Sequence, residues 1–368
     1  MNILNRLINS VVKKRDFLLN TKKINYKLIH KDYPTSRNII FLSPALNYPS
    51  GGGIVSHSHS ETINSINYKT VKSCVLYPYK LNFKTSWFDT SAQFKRDLNL
   101  DPKSEFIVIP EIFAVRHAQS LIALGVSYAI NVQNGYLIDF ESSQFGASYN
   151  DIKEVYEKAD FIIGISDDAV ANIKLTFPNC ASRIIKSYYI IDKAQFKPLH
   201  LKKNIISYMP RKLARHTELF IFMVKQSLPP NWMIEVLDNL PEKVVYEKLS
   251  DTKIFLSFSE LEGLAMPPVM AALSGAHVIG YTGEGCKEYF HYSCFTEISS
   301  GDIKNFITEL LECIRKMESG TYIVEEAELT ELSERFSQNT QKNYIKELTT
   351  KINDILDAKS YQLKLLSN

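Results

Sequence analysis

The stretch Leu256–Tyr289, LSFSELEGLAMPPVMAALSGAHVIGYTGEGCKEY, most constrains how this chain can fold. An apolar run, Ile254–Phe258, ends in serine-rich punctuation, the pattern of a buried strand. A turn over 259–263 follows, then a short apolar helix entered through Pro267 and Pro268. Proline suits a first helical turn because the N–H it lacks would be unpaired there. Gly275 is placed to close that helix, and a second apolar run, Ala276–Ile279, leads into a glycine-bearing loop over 280–285. Strand, acidic turn, helix, strand and glycine loop make a βαβα unit of a parallel sheet. Ligands of such sheets bind outside the carboxyl ends of the strands, where Glu262, Gly263 and residues 283–288 are predicted to fall.

A chain of 368 residues exceeds one ordinary core and suits two domains. Its 45% apolar and 23% charged content is that of a soluble globular protein, and a net charge of +3 gives no global argument for nucleic acid. The five cysteines are odd in number and form no C-x-x-C pair, so neither a zinc knuckle nor a disulfide framework is expected, and a reducing, cytoplasmic compartment fits best. No apolar run reaches the ~18 residues that span a bilayer. The N-terminus also lacks the continuous apolar core and small-residue cleavage site of a signal peptide.

Residues 1–37 stand apart. Nine Lys and Arg against Asp16 and Asp32 give this segment +7, so the remainder sums to −4. Ile3, Leu4, Leu7, Ile8, Val11 and Val12 recur at helical spacing ahead of Lys13-Lys14-Arg15. Such a basic amphipathic helix, over residues 1–20, suits either an anionic membrane surface or the flank of its own domain. Strand Asn38–Pro44 then runs into Ala45–Gly53, a loop with three consecutive glycines, with a helix expected from about Ser56. A glycine loop between strand and helix is how an α/β domain opens toward a bound phosphate, which makes Gly52 and Gly53 candidates. His57 and His59, two apart, point to different faces of that helix and are expected at the surface or in capping roles. Further strands are predicted at 72–76, 105–109, 127–132, 160–165 and 183–191, and, beyond a linker at 198–203, at 204–209, 232–237, 243–246, 253–258 and 276–279. Glu111 and the pair Gln133 and Asn134 fall at strand ends on the ligand side. The strand at 204–209 runs directly into Pro210-Arg211-Lys212-Leu213-Ala214-Arg215, a cluster of cations suited to phosphate. Ile303–Met317 and a C-terminal segment containing Tyr344, Ile345, Leu348, Ile352, Ile355 and Leu356 read as amphipathic helices.

Glu262-Gly263-Leu264-Ala265-Met266-Pro267-Pro268, Ala271 to Ile279 and Gly285 to Glu288 together resemble the nucleotide-sugar site of retaining glycosyltransferases of family 4. The resemblance implies an α/β chain of GT-B type, two Rossmann-like domains with parallel sheets facing across a cleft. It implies a basic N-terminal extension over 1–37, an acceptor domain over 38–198, a donor domain over 199–335, and a C-terminal helix, 336–368, returning to the N-terminal domain. The implied activity moves a sugar from a nucleotide diphosphate donor to a hydroxyl of a glycan or lipid-linked glycan. It implies no cofactor and no metal, Arg211 and Lys212 neutralising the diphosphate with Arg215 as an alternative to Lys212. Glu262 would hold sugar hydroxyls, and Gly263, Leu264, Ala265, Gly283, Glu284 and Gly285 would line the donor. Glu288 is implied as a donor contact or a structural carboxylate, and Gln133 takes the place of a histidine that touches the donor sugar. At one position the chain departs from the family: Met270 stands where a glutamate holds the donor ribose.

Two other readings stay open. An inverting GT-B transferase or a nucleotide-sugar epimerase is one, and an inverting enzyme needs a base, for which His57, His59, Glu111 and His117 are the candidates. A non-catalytic GT-B protein that binds a partner transferase or a glycan is another; Met270 favours it, whereas Arg211, Lys212 and Glu262 oppose it.

Overall fold

The structure, a computed structural model, describes residues 24–30, 36–48, 50–191, 199–210 and 212–367. The amphipathic segment expected over residues 1–20, and Arg211, lie outside the described residues. The chain divides into two compact units. One runs to Ile165 and includes Ala169–Tyr189 and the chain from Gln341; the other is Ser166–Asp168 with Ile190–Thr340.

In the first unit β1 (Lys27–Leu28) pairs with β5 (Asn99–Leu100) outside the main sheet. That sheet has seven parallel strands: β2 (Arg37–Leu42), β3 (Val71–Leu76), β4 (Phe94–Lys95), β6 (Glu105–Pro110), β7 (Ser127–Val132), β8 (Phe161–Gly164) and β9 (Ile184–Lys186). Their order is β4-β3-β2-β6-β7-β8-β9, so the winding reverses between β2 and β6. The central strands are apolar on both faces, as a sheet covered on both sides requires. Helices α1 (Gly51–Ile66), α2 (Ala114–Ala123), α3 (Phe140–Phe145), α4 (Tyr149–Lys158) and α5 (Asp167–Thr176) make the connections.

The second unit carries a five-stranded parallel sheet: β10 (Lys203–Tyr208), β11 (Met233–Val236), β12 (Thr252–Glu262), β13 (His277–Glu284) and β14 (Phe295–Glu297), in the order β11-β10-β12-β13-β14. Its winding reverses between β10 and β12. Helices α6 (Ala214–Val224), α7 (Glu242–Asp251), α8 (Met266–Leu273), α9 (Ile303–Ser319) and α10 (Glu326–Arg335) belong to it. Phe220, Phe258, Tyr281 and Phe306 form the centre of its core. The last helix, α11 (Gln338–Ser367), sets Tyr344, Ile345, Leu348, Ile352 and Leu356 against Ile39, Phe41, Phe106 and Phe161 in the core of the first unit.

The local expectations need four corrections. Residues 243–246 are helical: Val245 and Leu249 are the buried pair of α7, one turn apart, whereas Tyr246 is only half-buried. The three glycines form the first turn of α1, which begins at Gly51 rather than near Ser56. Strand β12 continues through the expected turn to Glu262, and β13 continues through the expected glycine loop to Glu284, because the two stay paired, across a register shift after Ser259, as far as Glu262 and Glu284. Finally, β9 is only three residues long, Ile184–Lys186.

Candidate active site

The carboxyl ends of β10 and β12 flank the point where the winding of the second sheet reverses, and a crevice opens at such a point because the two connecting helices leave in opposite directions. Lys212 follows β10 and Glu262 ends β12. Across the gap Lys212 Nζ meets Glu262 Oε1 at 2.7 Å and donates to Glu260 O at 3.2 Å. Both side chains remain partly exposed, at 30% and 21%. Arg215 is exposed on the first turn of α6.

Backbone conformation singles out the same strand ends. Leu213, Leu261 and Glu284 all take left-handed backbone, with φ of 45°, 44° and 70°. For residues other than glycine and asparagine this conformation costs energy and persists only where the surroundings impose it, most often at functional sites. Among the described residues the other two non-glycine residues of positive φ are asparagines, Asn67 and Asn239, which tolerate it.

The acidic turn and the loop after β13 are locked to each other. Gly285 N donates to Glu262 O at 3.2 Å, Ala265 N donates to Cys286 Sγ at 3.1 Å, and Tyr289 OH donates to Ala265 O at 2.9 Å. A Cβ at Gly285 would collide with Gly263 O. Burial pushes the Cys286 thiol up to about 12, so it stays protonated and serves as a soft hydrogen-bond acceptor. Cys286 and Tyr289 are functional supports that sequence reasoning did not single out; nothing in their spacing marks them.

These contacts show how the other expected site residues are held. The N–H groups of Ala265 and Gly285 are already engaged within the protein. Glu288, whose side chain is 9% exposed, is held by Arg335, Nη2 to Oε1 at 2.6 Å and Nη1 to the Glu288 carbonyl at 3.1 Å. Glu284 pairs with Lys287 at 2.7 Å and stays about half exposed. Met270 is buried on α8. Gly263 is buried and Leu264 half-buried in the turn itself, and Gly283 (φ 59°) directly precedes Glu284.

In the first unit Gln133 Nε2 donates to Gly52 O at 3.3 Å, and a Cβ on Gly52 would collide with Gln133 Oε1. The Asn134 side chain accepts from Tyr136 N at 2.9 Å. Glu111 accepts from Gln133 N at 3.2 Å and Asn134 N at 3.0 Å. Gly52, Gln133, Asn134 and Glu111 therefore brace one another at the strand ends. Burial raises the Glu111 carboxyl to about 7 in spite of its backbone donors.

Both expected surface histidines are buried. His57 spans Gly53 O and Tyr77 OH, each at 2.8 Å. His59 meets Tyr188 O at 3.0 Å and packs on Phe41 of β2 and Tyr344 of α11, so this face of α1 is covered by both. His117 meets Tyr26 OH at 2.8 Å and Tyr79 OH at 3.3 Å. Burial lowers all three, His59 to about 4 and His117 to about 3, so each is neutral at physiological pH. With Glu111 also 4% exposed, the candidate bases for an inverting reaction are all enclosed.

No family model matches the chain, and no curated protein matches it in sequence. Solved structures do match in three dimensions. HepE from Anabaena in complex with UDP aligns with a TM-score of 0.62 at 10% identity, covering 85% of this chain and 99% of that one. Sucrose-phosphate synthase from Thermosynechococcus elongatus gives 0.62 at 11% identity, covering 87% and 100%. The catalytic domain of starch synthase IV from Arabidopsis thaliana, bound to ADP and acarbose, gives 0.57 at 9% identity, covering 86% and 99%. The chain thus has the GT-B fold, two Rossmann-like units with parallel sheets.

Proposed function

We propose that this protein is a glycosyltransferase that moves a sugar from a nucleoside diphosphate donor to a hydroxyl acceptor. The observation that carries the reading is the Lys212–Glu262 pair at 2.7 Å across the reversal point of the second sheet. Negative charge builds on the leaving diphosphate as the glycosidic bond breaks, and a cation held at a strand end stabilises it. Lys212 takes that role, joined by Arg211 from the adjacent position in sequence; the exposed Arg215 is a further cation one turn on. Glu262, released from Lys212 when the diphosphate arrives, accepts hydrogen bonds from the sugar hydroxyls. Neighbours of this fold were solved with UDP and with ADP, which supports a nucleotide at this site here.

In this reading the transfer retains anomeric configuration and needs no bound metal, the cations meeting the diphosphate directly. The acceptor is a glycan or lipid-linked glycan in surface polysaccharide or glycolipid assembly, and the basic residues 1–20 hold the enzyme on the cytoplasmic face of an anionic membrane. Among the described residues no helix is long and apolar enough to cross a membrane.

Calorimetric titration of UDP and ADP tests the core of the proposal. Lys212→Ala should weaken the diphosphate at least about tenfold, a charge-assisted contact contributing roughly 1.5–3 kcal/mol, while leaving the bare nucleoside unchanged. Turnover should survive EDTA and be lost in Glu262→Gln. A wild type that binds no nucleoside diphosphate would overturn the reading.

A further inference from the structure

In the first unit Ser43 leaves β2 with its hydroxyl buried, the residue being 1% exposed, and without a hydrogen-bond partner. Thr85, on the irregular segment between β3 and β4, holds a buried Oγ1 that likewise has none. Both line one small pocket, shared with Trp87, Phe88, His57 and Gly53, that offers about 10 Å³, the room of a single water-sized group. Ser50, Thr85, Trp87 and Phe88 are only half-buried, which leaves the pocket approachable from that side of the unit.

Buried hydroxyls without partners are costly, so two such residues lining one pocket call for a group that can both donate and accept. Three other polar side chains that line it are already engaged: His57 by Gly53 O and Tyr77 OH, Tyr77 by His57, and Trp87 by Leu46 O. No Lys, Arg, Asp or Glu lines the pocket, so its ligand is neutral. Its walls are aromatic: Trp87 lies over the bare backbone of Gly53, 3.6 Å from where a Cβ would be, and is fixed by its Nε1 donating to Leu46 O at 3.1 Å. Phe88 stands beside it with ring centroids 4.4 Å apart. Aromatic faces with a few convergent hydroxyls suit a ligand that alternates apolar C–H faces with hydroxyl groups.

We propose that this pocket is a saccharide subsite, in which one sugar hydroxyl enters between Ser43 Oγ and Thr85 Oγ1 while the ring lies on Trp87. Its role as the acceptor subsite, which makes the acceptor a neutral sugar, rests on the transferase reading; the binding itself does not.

The chain has two tryptophans, so Trp232→Phe in the full chain leaves Trp87 as the sole reporter. Titration with glucose, galactose and N-acetylglucosamine should give a saturable change in Trp87 emission for at least one sugar and none for ethylene glycol. Ser43→Ala and Thr85→Val should each weaken that binding by roughly two- to tenfold, as loss of one hydrogen bond predicts, and leave UDP affinity unchanged. Thr85→Val tests the site even if the buried Ser43→Ala fails to fold. Emission indifferent to every sugar, or affinity unmoved by Thr85→Val, would overturn the subsite. UDP binding without sugar binding sinks this inference alone; sugar binding without UDP binding sinks the transferase reading and leaves the subsite standing.

Discussion

Gly280 lies within β13 with φ near +141°, where a Cβ would collide with the Ser257 carbonyl and press on the Phe306 ring. Gly125 also has positive φ, +65°, but has nothing within 4 Å. Gly280→Ala should therefore cost about 3 kcal/mol or more, and Gly125→Ala only about 1 kcal/mol. Equal losses in thermal melts would show that the close approach of β12 and β13 is not what requires glycine. Titrating groups make a second residue-scale prediction. His57, His59, His117 and His277 are buried with lowered pKa, so the unfolded chain binds their protons first, and stability rises with pH until about 6.5. Glu111 and Glu141 behave oppositely: burial raises each to about 7, so the folded chain holds protons that the unfolded chain has lost, and stability falls as pH rises through 7. Below pH 6.5 the four histidines outweigh the two carboxyls, so Tm should rise with pH from 5 to 6.5 and then level off, because the last histidine protons leaving the unfolded chain offset the carboxyls. Glu141→Gln should steepen that rise by removing one opposing group, and a wild-type Tm that falls between pH 5 and 6.5 would refute the assignment.

At the level of elements, strong apolar runs were legible and their ends were not. Ser127–Val132 was predicted to the residue, because six consecutive buried positions leave no other reading. The ends of β12 and β13 are set by pairing between Glu262 and Glu284, a tertiary fact invisible in either segment alone. Residues 243–246 read as a strand because Val-Val-Tyr favours one, yet burial of Val245 and Leu249 a turn apart decides for helix. Of the candidate site, Lys212 and Glu262 were legible from position at strand ends; the bracing of Gln133 by Gly52 and of Ala265 by Cys286 was not, since each joins residues from different elements. Helix α11 was read from its spacing, and the structure adds the strands it covers. Leu348, fully buried against those strands, should cost roughly 2–5 kcal/mol as Leu348→Ala, against near zero for the exposed Lys346→Ala. Comparable small losses for both would mean that α11 is not part of the first unit's core.

Across the whole molecule, each unit has its own sheet, its own core and one tryptophan. Trp87 belongs to the first unit; Trp232, 5% exposed and donating Nε1 to Glu318 Oε1 at 3.0 Å, belongs to the second. Units with separate cores can unfold separately, and a ligand that binds one native unit raises the stability of that unit first. Trp232→Phe and Trp87→Phe variants each leave a single reporter, so thermal unfolding can be followed unit by unit. Leu348→Ala should lower the transition seen by Trp87 by roughly 5–10 °C and leave that of Trp232 in place. UDP at about 100 times its Kd should do the reverse, raising the Trp232 transition by an amount equivalent to about 2.7 kcal/mol. Lys212→Ala should shrink that rise at a fixed UDP concentration without moving the transition of the unliganded protein by more than a degree or two, since a partly exposed ion pair adds little stability. If both tryptophans report one transition that Leu348→Ala and UDP shift together, the units melt as one and the separation fails. If UDP raises the Trp87 transition alone, the nucleotide is held by the first unit, and Lys212 and Glu262 lose their proposed role.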